Sequence, residues 1–316
     1  MKFSVITPVY NREDCIGRCI ESVLSQVGDF EVEHLIGYDK SSDSTLNEIK
    51  KYLDDPRLKL FILPEHGGIN AARNKCISEA SGDFIIILDS DDMLIKDSLL
   101  FITKTILRNN EFSYFLFAQN DRVPNYNSNP TLRQYTASLS YLDFLSRKVS
   151  GDFMHVIKSE IIKKYPFDEN VNSYEFVYIL RLIREAQKIL FTKEVLVMRE
   201  RNRFDSASKS TFKVSDTVIK REIVAYSTFI EWFKEDLKIN GLESIAFFYI
   251  NQIYIDSIMV NDKKAKSNVF VWVKEFGMKL STKYKLVELF HAGSLLRYIL
   301  RFKYYVLYSI FKKRIE

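Results

Sequence analysis

An acidic cluster that directly follows an apolar segment is the part of this sequence best suited to chemistry. Residues 84–88 are entirely apolar, and Asp89, Asp91 and Asp92 follow them. Carboxylates crowded at the end of a buried strand repel one another, and a hard divalent cation removes that cost. Magnesium and manganese take one or two protein carboxylates and complete their shell with phosphate oxygens and water. The cluster therefore predicts a metal-assisted phosphate site, and the plain alternative is a solvated acidic turn in which Asp92 caps the next helix.

The other predicted strands of the first hundred residues also end in polar residues. Tyr10 and Asn11 follow the first strand, Asp39 follows the second, and the segment 65–74 follows the third. The carboxyl ends of parallel strands lie at one edge of a sheet, which is where such sheets bind ligands. Polar residues at one strand end indicate only an ordinary turn. Polar residues at the ends of four strands along the same edge indicate a binding site.

Two glycines and an arginine favour an anionic ligand at this edge. Gly67 and Gly68 precede a predicted helix that carries Arg73. Glycines let a ligand approach the backbone closely, and a helix N-terminus favours phosphate. Taken alone, a tight turn with a surface arginine is an equally good interpretation. The chain has neither the Gly-x-x-x-x-Gly-Lys-Ser/Thr loop nor the Gly-x-Gly-x-x-Gly fingerprint, which argues against P-loop chemistry and a dinucleotide fold.

Hydrophobic periodicity predicts the elements that position these residues. Strands are predicted at 3–7, 30–36, 58–63 and 84–88, with helices between them at 13–26, 42–53 and 69–80. This β-α-β-α-β-α-β order requires a mostly parallel sheet with helices on both faces, so the fold class is α/β. A further helix is predicted at 174–186 and a strand at 189–197. Sparse glycine and absent proline predict a helical region at 215–316, after a first domain at 1–214.

Composition and charge narrow the class of protein. The 316 residues are 47% hydrophobic and 28% charged, which excludes disordered and fibrous classes, and three cysteines suit a reducing compartment. Residues 263–316 carry 13 Lys and Arg against 3 acidic residues, while the rest of the chain is mildly acidic. The tail 294–316 has a basic and an apolar side at helical spacing, which predicts a helix lying on an anionic membrane surface. Packing of its apolar side on the protein body is the alternative.

The ordered set of motifs resembles the family 2 glycosyltransferases, which have the GT-A fold. The resemblance is strong over residues 1–110 and weaker to about 205. Tyr38 departs from the family pattern, because it replaces the first of two aspartates and leaves only Asp39. The matching residues are Thr7, Pro8, Tyr10 and Asn11 at the first strand, Gly67, Gly68, Ala72, Arg73 and Asn74 at the third, and Asp89, Ser90 and Asp91 of the metal motif.

The resemblance implies a nucleotide-sugar site at the strand ends. Asp91, with Asp89 and Asp92 nearby, would bind Mn²⁺ or Mg²⁺ that bridges a diphosphate. Tyr38 would either stack on the base or pack in the core. The implied nucleotide-binding residues are Thr7, Pro8, Tyr10, Asp39, Arg73, Asp89 and Ser90.

The resemblance also implies a carboxylate base further along the chain. Glu175 falls in the expected position, Phe176 replaces the aspartate that usually follows, and Asp168 is the reserve candidate. An apolar setting raises the proton affinity of a carboxylate, which suits a general base. The alternative is that Glu175 only caps its helix through the helix dipole.

Two further features complete the implied site. Arg199, Arg201 and Arg203 follow the strand at 189–197, where they would serve the diphosphate or form a solvated basic loop. His155 would line the acceptor pocket, although a lone histidine is more often structural.

The expected function is inverting transfer of one sugar from a nucleotide-sugar donor, UDP-linked, to a saccharide or lipid-linked saccharide in surface polysaccharide synthesis. The protein is expected in the cytoplasm, bound peripherally at the inner face of the plasma membrane. The sequence leaves open whether it forms a homo-oligomer. Two alternatives are a GT-A domain that binds nucleotide sugar without turnover, and a nucleic-acid-binding module with a basic tail. The acidic body and the absence of a nucleic-acid motif argue against the second.

Overall fold

The computed structural model describes residues 1–169, 174–200 and 215–289, together with residues 293, 295, 296 and 299. The chain divides into two compact units, one formed by Met1–Asn172 with Tyr178–Asn202 and the other by Ser173–Val177 with Arg203–Glu316. The domain boundary was predicted at residue 214. This position lies outside the described residues, because the structure does not describe residues 201–214. Within the described ranges, no helix is long and apolar enough to cross a membrane.

A mixed, mostly parallel sheet forms the centre of the first unit. Its order is β3-β2-β1-β4-β8-β6-β9-β5, with β7 added against β9. The first four strands are parallel to one another, and β8 enters antiparallel between β4 and β6. The strands are β1 (Lys2–Val9), β2 (Glu31–Tyr38), β3 (Leu58–Ile62), β4 (Phe84–Ile87), β5 (Met93–Leu94), β6 (Tyr114–Gln119), β7 (Thr136–Ser140), β8 (Met154–Lys158) and β9 (Lys188–Met198).

Helices connect these strands on both faces of the sheet, as the sequence predicts. The seven elements expected over the first hundred residues are all present, with ends displaced by a few residues. The helices are α1 (Ile16–Leu24), α2 (Thr45–Lys50), α3 (Ile69–Glu79), α4 (Ser98–Arg108), α5 (Val123–Ser128), α6 (Tyr141–Leu145), α7 (Ser159–Ile162) and α8 (Glu175–Ala186). The helices from α4 to α7 and the strands from β5 to β8 were not predicted. The α/β fold class is confirmed.

The core of the first unit lies where apolar side chains of the sheet meet the helices. Ile16, Cys19, Ile20 and Val23 of α1 are all fully buried, which confirms the face that the helical spacing predicts. Cys15, Cys19 and Cys76 are free thiols inside the protein, and burial raises the pKa of both Cys19 and Cys76. The cysteines are therefore small core residues, as expected.

Close packing of α3 against β2 depends on a glycine. A Cβ atom added at Gly37 would lie 2.6 Å from the carbonyl oxygen of Ala72, which is backbone and cannot move aside. The absence of a side chain at Gly37 thus lets α3 approach the sheet directly. This approach brings the polar residues of α3 to the strand ends.

Four helices account for most of the residues that the structure describes in the second unit. They are α9 (Asp216–Ile239), α10 (Glu243–Met259), α11 (Lys263–Glu275) and α12 (Thr282–Leu289). These helices agree with the helical region that the sequence predicts from residue 215 onward. Aromatic rings of α9 and α10 form part of the core, and the Phe229 and Tyr249 centroids are 4.4 Å apart. Asp256 of α10 is buried, and burial together with Glu222 raises its pKa to about 8. The protein interior therefore favours the protonated form of Asp256.

A buried carboxylate ties β1, β2 and β3 to the turn before β4. Glu33 accepts hydrogen bonds from the Ser4 hydroxyl, from the Ser81 N–H at 2.6 Å and from the Lys59 ammonium at 2.6 Å. Burial alone would raise the pKa of Glu33, but bonds from Lys59, Ser4 and Ser81 outweigh it and lower the pKa to about 2. The ionised form is thus bound more tightly in the folded state than in the unfolded chain.

We expect Glu33 to make folding sensitive to acid. Since its folded pKa lies below the ordinary 4.5, its contribution is present above about pH 4.5 and is lost as the pH falls towards 2. That contribution is roughly 3 kcal/mol at neutral pH. Urea unfolding at pH 7, 5 and 3 should show a weaker pH dependence for Glu33→Gln than for the wild type.

The matched control is Glu31→Gln on the same strand, because Glu31 is exposed. This substitution should leave the pH dependence of unfolding unchanged. Equal acid sensitivity of Glu33→Gln and the wild type would contradict the assignment.

Candidate active site

The loops that follow β1 and β2 are joined by Asn11. Its N–H donates to the Ser41 hydroxyl at 2.9 Å, and its side-chain oxygen accepts the Ser42 N–H at 2.8 Å. Asn11 itself has a φ of 51°, a left-handed conformation that asparagine tolerates better than most residues. The asparagine of the first motif therefore fixes the relative position of two strand ends.

Asp39 shapes the glycine turn that precedes α3. Its carboxylate is 2% exposed and accepts the N–H of Gly67 at 2.7 Å and the N–H of Gly68 at 2.9 Å. Nδ1 of His66 lies 2.9 Å from the same carboxylate. The structure differs here from the expectation that these glycines receive a phosphate, because a protein carboxylate already occupies the anion position at this helix N-terminus.

An exposed aromatic surface lies over this turn. The Tyr10 ring is 42% exposed and packs against His66 at a centroid distance of 4.4 Å, with the two rings tilted by 35°. Tyr38 is buried and donates a hydrogen bond to the Ser41 carbonyl at 3.1 Å, so it packs and does not offer a face to a base. Tyr10 is thus the aromatic residue of this region that a planar ligand can reach.

Two other residues of the first motif are buried. The Thr7 hydroxyl is fully buried at a hydrogen-bond distance of 2.9 Å from Nε2 of His34, and Pro8 is also buried. The hydroxyl is used in a contact inside the protein, and the predicted contact of Thr7 with a nucleotide stays a prediction.

Arg73 places a positive charge beside the acidic cluster. The Arg73 side chain is 8% exposed, and its Nη2 lies 3.2 Å from a carboxylate oxygen of Asp89. Its guanidinium carbon lies 5.3 Å from the centre of the Phe167 ring, which in turn stacks on Tyr178. Arginine held in this way between an aromatic ring and a carboxylate is fixed in direction and always charged.

Two asparagines of α3 hold the turn at 167–169. The Asn70 amide donates to the Asp168 carbonyl at 2.8 Å. Asn74 donates to the Phe167 carbonyl at 2.9 Å and accepts the Phe167 N–H at 2.8 Å. The sequence-predicted Asp168 is therefore brought to α3, the helix that carries Arg73.

The acidic cluster combines two accessible carboxylates with a buried one. The Asp89 side chain is 43% exposed, Asp91 is partly exposed and Asp92 is buried. Burial and the charges of Asp89 and Asp91 raise the pKa of Asp92 to about 8, against the opposing effect of Arg199. A divalent cation at this point would relieve the same repulsion.

The donor set fits a cation that shares its shell with a ligand. Asp89 and Asp91 lie two residues apart and are both accessible, while Ser90 between them is buried. Among the residues described, no group of three or more acidic, histidine or cysteine side chains encloses a metal by itself. Magnesium and manganese are commonly held by one or two carboxylates with phosphate oxygens completing the shell, which is the arrangement these residues allow.

Arg199 places a second positive charge beside the cluster. Its guanidinium lies 3.8 Å from the Asp92 carboxylate and 3.2 Å from that of Asp152, and it donates to the Gln119 side chain at 2.8 Å. Arg122 forms a second ion pair with Asp152. Although the sequence assigned Arg199 to a diphosphate, its charge is here shared between carboxylates of the protein.

The structure describes Glu175 and Phe176 but not the other two predicted arginines or most of the predicted tail. Glu175 begins α8, in the segment Ser173–Val177 that groups with the helical unit, and its role as base stays a prediction. Phe176 packs on Phe229 and Tyr249 at centroid distances of 6.1 Å. Arg201 and Arg203, and nearly all of the tail 294–316, lie outside the described residues.

His155 lies at the same edge of the sheet. It is partly exposed, and Nδ1 is 2.8 Å from the Tyr114 hydroxyl. Asp152, Arg73 and Asp89 are close enough to influence its pKa. The structure thus brings His155 to the acidic cluster, although no element was predicted there.

Sequence reasoning missed Asp152 and His66. Asp152 precedes an apolar strand instead of following one, and β8 is antiparallel to β4, so its starting end meets the finishing end of β4. The available signal was a carboxylate that comes before a strand. It could be recognised as part of the site only with the knowledge that this strand runs antiparallel to β4. His66 gave no signal beyond its place next to Gly67.

Comparisons with known proteins agree with this geometry. The family model described as "Glycosyl transferase family 2" matches residues 4–165. A Campylobacter jejuni protein named GalNAc(5)-diNAcBac-PP-undecaprenol beta-1,3-glucosyltransferase is 30% identical over 192 residues. That match covers 58% of this chain and only 60% of the length of the relative.

Solved structures share the fold. S. aureus TarS 1-349 in complex with UDP-GlcNAc has a TM-score of 0.65 at 19% identity, and the match covers 96% of this chain and 91% of that one. A Pyrobaculum calidifontis mannosyltransferase in complex with GDP-Man and Mn²⁺ has a TM-score of 0.57 at 14% identity, with coverage of 95% and 86%. These likenesses identify the architecture of the chain as the GT-A fold.

Proposed function

The chain belongs to glycosyl transferase family 2, and we propose that it transfers one sugar from a nucleotide-sugar donor to a saccharide acceptor. The observation that carries the proposal is the pairing of the buried Arg73 with Asp89 at the strand-end edge of the sheet. A fixed cation beside accessible carboxylates suits a diphosphate that leaves with negative charge. The edge is also the place where α/β sheets bind nucleotides.

The donor is a UDP-sugar. The support is the exposed Tyr10 ring, which offers a face to a planar base. The TarS protein, which shares the fold, was crystallised with UDP-GlcNAc. In this proposal Asp39 acts mainly by fixing the glycine turn beneath the base.

Asp91 holds a divalent cation, with Asp89 beside it. Mn²⁺ or Mg²⁺ bound there would supply positive charge to the leaving diphosphate. Arg73 provides a second, permanent positive charge, while Arg199 and Asp152 keep Asp92 in place behind the two accessible carboxylates. The support is that burial, together with repulsion from Asp89 and Asp91, raises the pKa of Asp92, because a cation would relieve that repulsion.

Glu175 takes the proton from the acceptor hydroxyl, with Asp168 as the second candidate. The freed oxygen attacks the anomeric carbon as the bond to the diphosphate breaks on the opposite side, which inverts the configuration. One sugar is transferred in each encounter.

The acceptor is a lipid-linked saccharide in the synthesis of a surface glycan. The support is the name of the Campylobacter jejuni relative, which specifies a saccharide on PP-undecaprenol. The basic tail 294–316 holds the protein at the inner face of the plasma membrane, because each Lys or Arg near an anionic leaflet contributes about 1 kcal/mol.

The proposed function is tested with a panel of nucleotide sugars. We expect release of nucleoside diphosphate from one donor, loss of activity with chelator and recovery with Mn²⁺ or Mg²⁺. Asp91→Ala should abolish turnover and leave the unfolding transition unchanged, because Asp91 is partly exposed at the strand end. The matched control Asp54→Ala removes an exposed carboxylate elsewhere and should retain full activity.

Two outcomes separate the parts of this proposal. If the wild-type protein turns over no nucleotide sugar, the proposed function is wrong. If Asp91→Ala is fully active in the presence of chelator, the proposed metal site is wrong and the proposed sugar transfer still stands.

The choice of base is tested by two substitutions that keep the size of the side chain. Glu175→Gln should lower turnover by roughly 10²–10⁴-fold, because an amide cannot accept the proton. Affinity for the nucleotide sugar, measured by calorimetry, should change little. A near wild-type rate for Glu175→Gln together with an inactive Asp168→Asn would identify Asp168 as the base.

The membrane role is tested by flotation with anionic and neutral liposomes. The full chain should float with anionic vesicles, and replacement of Arg297, Arg301, Lys312 and Lys313 by glutamine should reduce that flotation, because the attraction is electrostatic. The effect should shrink in high salt. Equal flotation of both proteins, or no preference for anionic lipid, contradicts the assignment.

A further inference from the structure

His155 lies on the face of the sheet opposite the main apolar cluster of β8. Met154 and Val156, its neighbours in the strand, point into that cluster, whereas His155 is partly exposed. Leu116 of β6 is its directly paired residue in the antiparallel ladder, and Tyr114 lies two residues before Leu116 in β6. His155 is thus on a central strand of the sheet, partly accessible, with Tyr114 on the neighbouring strand.

The Tyr114 hydroxyl fixes the direction of the hydrogen bond to His155. Tyr114 is 0% exposed, and burial raises its pKa well above 10, so the hydroxyl keeps its proton. That proton requires an acceptor, and within the described part of the chain the hydroxyl has Nδ1 of His155 as its hydrogen-bond partner, at 2.8 Å. Tyr114 therefore donates and Nδ1 accepts.

The tautomer of His155 follows from this bond. Burial lowers the pKa of His155 to about 4, so the ring is neutral at pH 7 and carries one proton. Since Nδ1 accepts, the proton is on Nε2. Nε2 has no hydrogen-bond partner among the described residues, and it is an N–H donor that the protein leaves available.

The surroundings of this donor are those of the candidate active site. Asp152, Arg73 and Asp89 all influence the pKa of His155, so the ring lies near the acidic cluster. A phosphate at such a place is held by cations, which Arg73 already supplies. A neutral N–H donor instead suits an uncharged oxygen, such as a sugar hydroxyl.

We propose that His155 is a sugar-positioning residue whose Nε2–H donates to a hydroxyl oxygen of the bound sugar. Tyr114 acts through His155, because its hydroxyl holds the ring in the tautomer that donates. This inference rests on the proposed function and adds a specificity determinant to it. A site that hydrogen-bonds a hydroxyl discriminates against a sugar that lacks it.

Two amide substitutions separate this role from a structural one. The side-chain oxygen of asparagine can lie near the position of Nδ1 and accept the Tyr114 proton, so His155→Asn keeps a partner for Tyr114 and loses the donor to the sugar. The side-chain nitrogen of glutamine reaches the position of Nε2, so His155→Gln keeps that donor and loses the partner for Tyr114. The two roles therefore predict opposite orders of activity.

We expect kcat/KM of His155→Asn to fall about 10-fold, which corresponds to the loss of one hydrogen bond, and that of His155→Gln to stay within about threefold of the wild type. Activity is measured as UDP release from UDP-glucose, UDP-galactose, UDP-GlcNAc and UDP-GalNAc, with water or octyl glycosides as acceptors. Tyr114→Phe should show a smaller loss than His155→Asn, because Nε2–H stays partly populated.

The arms of the experiment identify which sugar is contacted. A change in donor hydrolysis by water assigns the hydroxyl to the donor sugar, and a change only in the KM of the octyl glycoside assigns it to the acceptor. The reverse order, with His155→Asn active and His155→Gln impaired, overturns the inference, and so does equal activity of all variants with the wild type. Wild-type protein without UDP release on any donor overturns the proposed function instead.

Discussion

Repulsion among the carboxylates that follow β4 is the constraint on which the rest of the first unit depends. Asp89, Asp91 and Asp92 share one strand end, and the buried Asp92 has its pKa raised to about 8. Two arginines from distant parts of the chain oppose this charge, Arg73 on α3 and Arg199 after β9. Asp89 and Asp91 stay accessible at this strand end, which is why the proposed cation is placed beside them.

The need to deliver Arg73 explains several contacts that do not touch any ligand. Gly37 lets α3 lie against β2, and Asp39 accepts the amides of the glycine turn where α3 begins. Asn74 then fastens the turn that carries Phe167, and the Phe167 ring limits where the Arg73 guanidinium can lie. The glycines and asparagines of the third motif thus work mainly as a support for one arginine.

Strand direction accounts for the second half of the site. β8 runs against β4, so its first residues reach the same edge as the last residues of β4. This reversal brings Asp152 to Arg199 and His155 to Tyr114, and it joins the antiparallel part of the sheet to the edge that carries the acidic cluster. A purely parallel sheet would have sent both side chains to the opposite end.

The sequence by itself determined the α/β class, the order of the first seven elements and the acidic cluster, because hydrophobic periodicity and strand-end polarity are local properties of the chain. It did not determine the roles of Asp39, Thr7 or Arg199, which depend on hydrogen bonds to Gly67, His34 and Asp152. Those partners are far apart in the chain, and no local pattern encodes which charges and amides will meet. The tertiary structure decided them, because burial leaves a polar group stable only beside a partner, and the fold alone selects that partner.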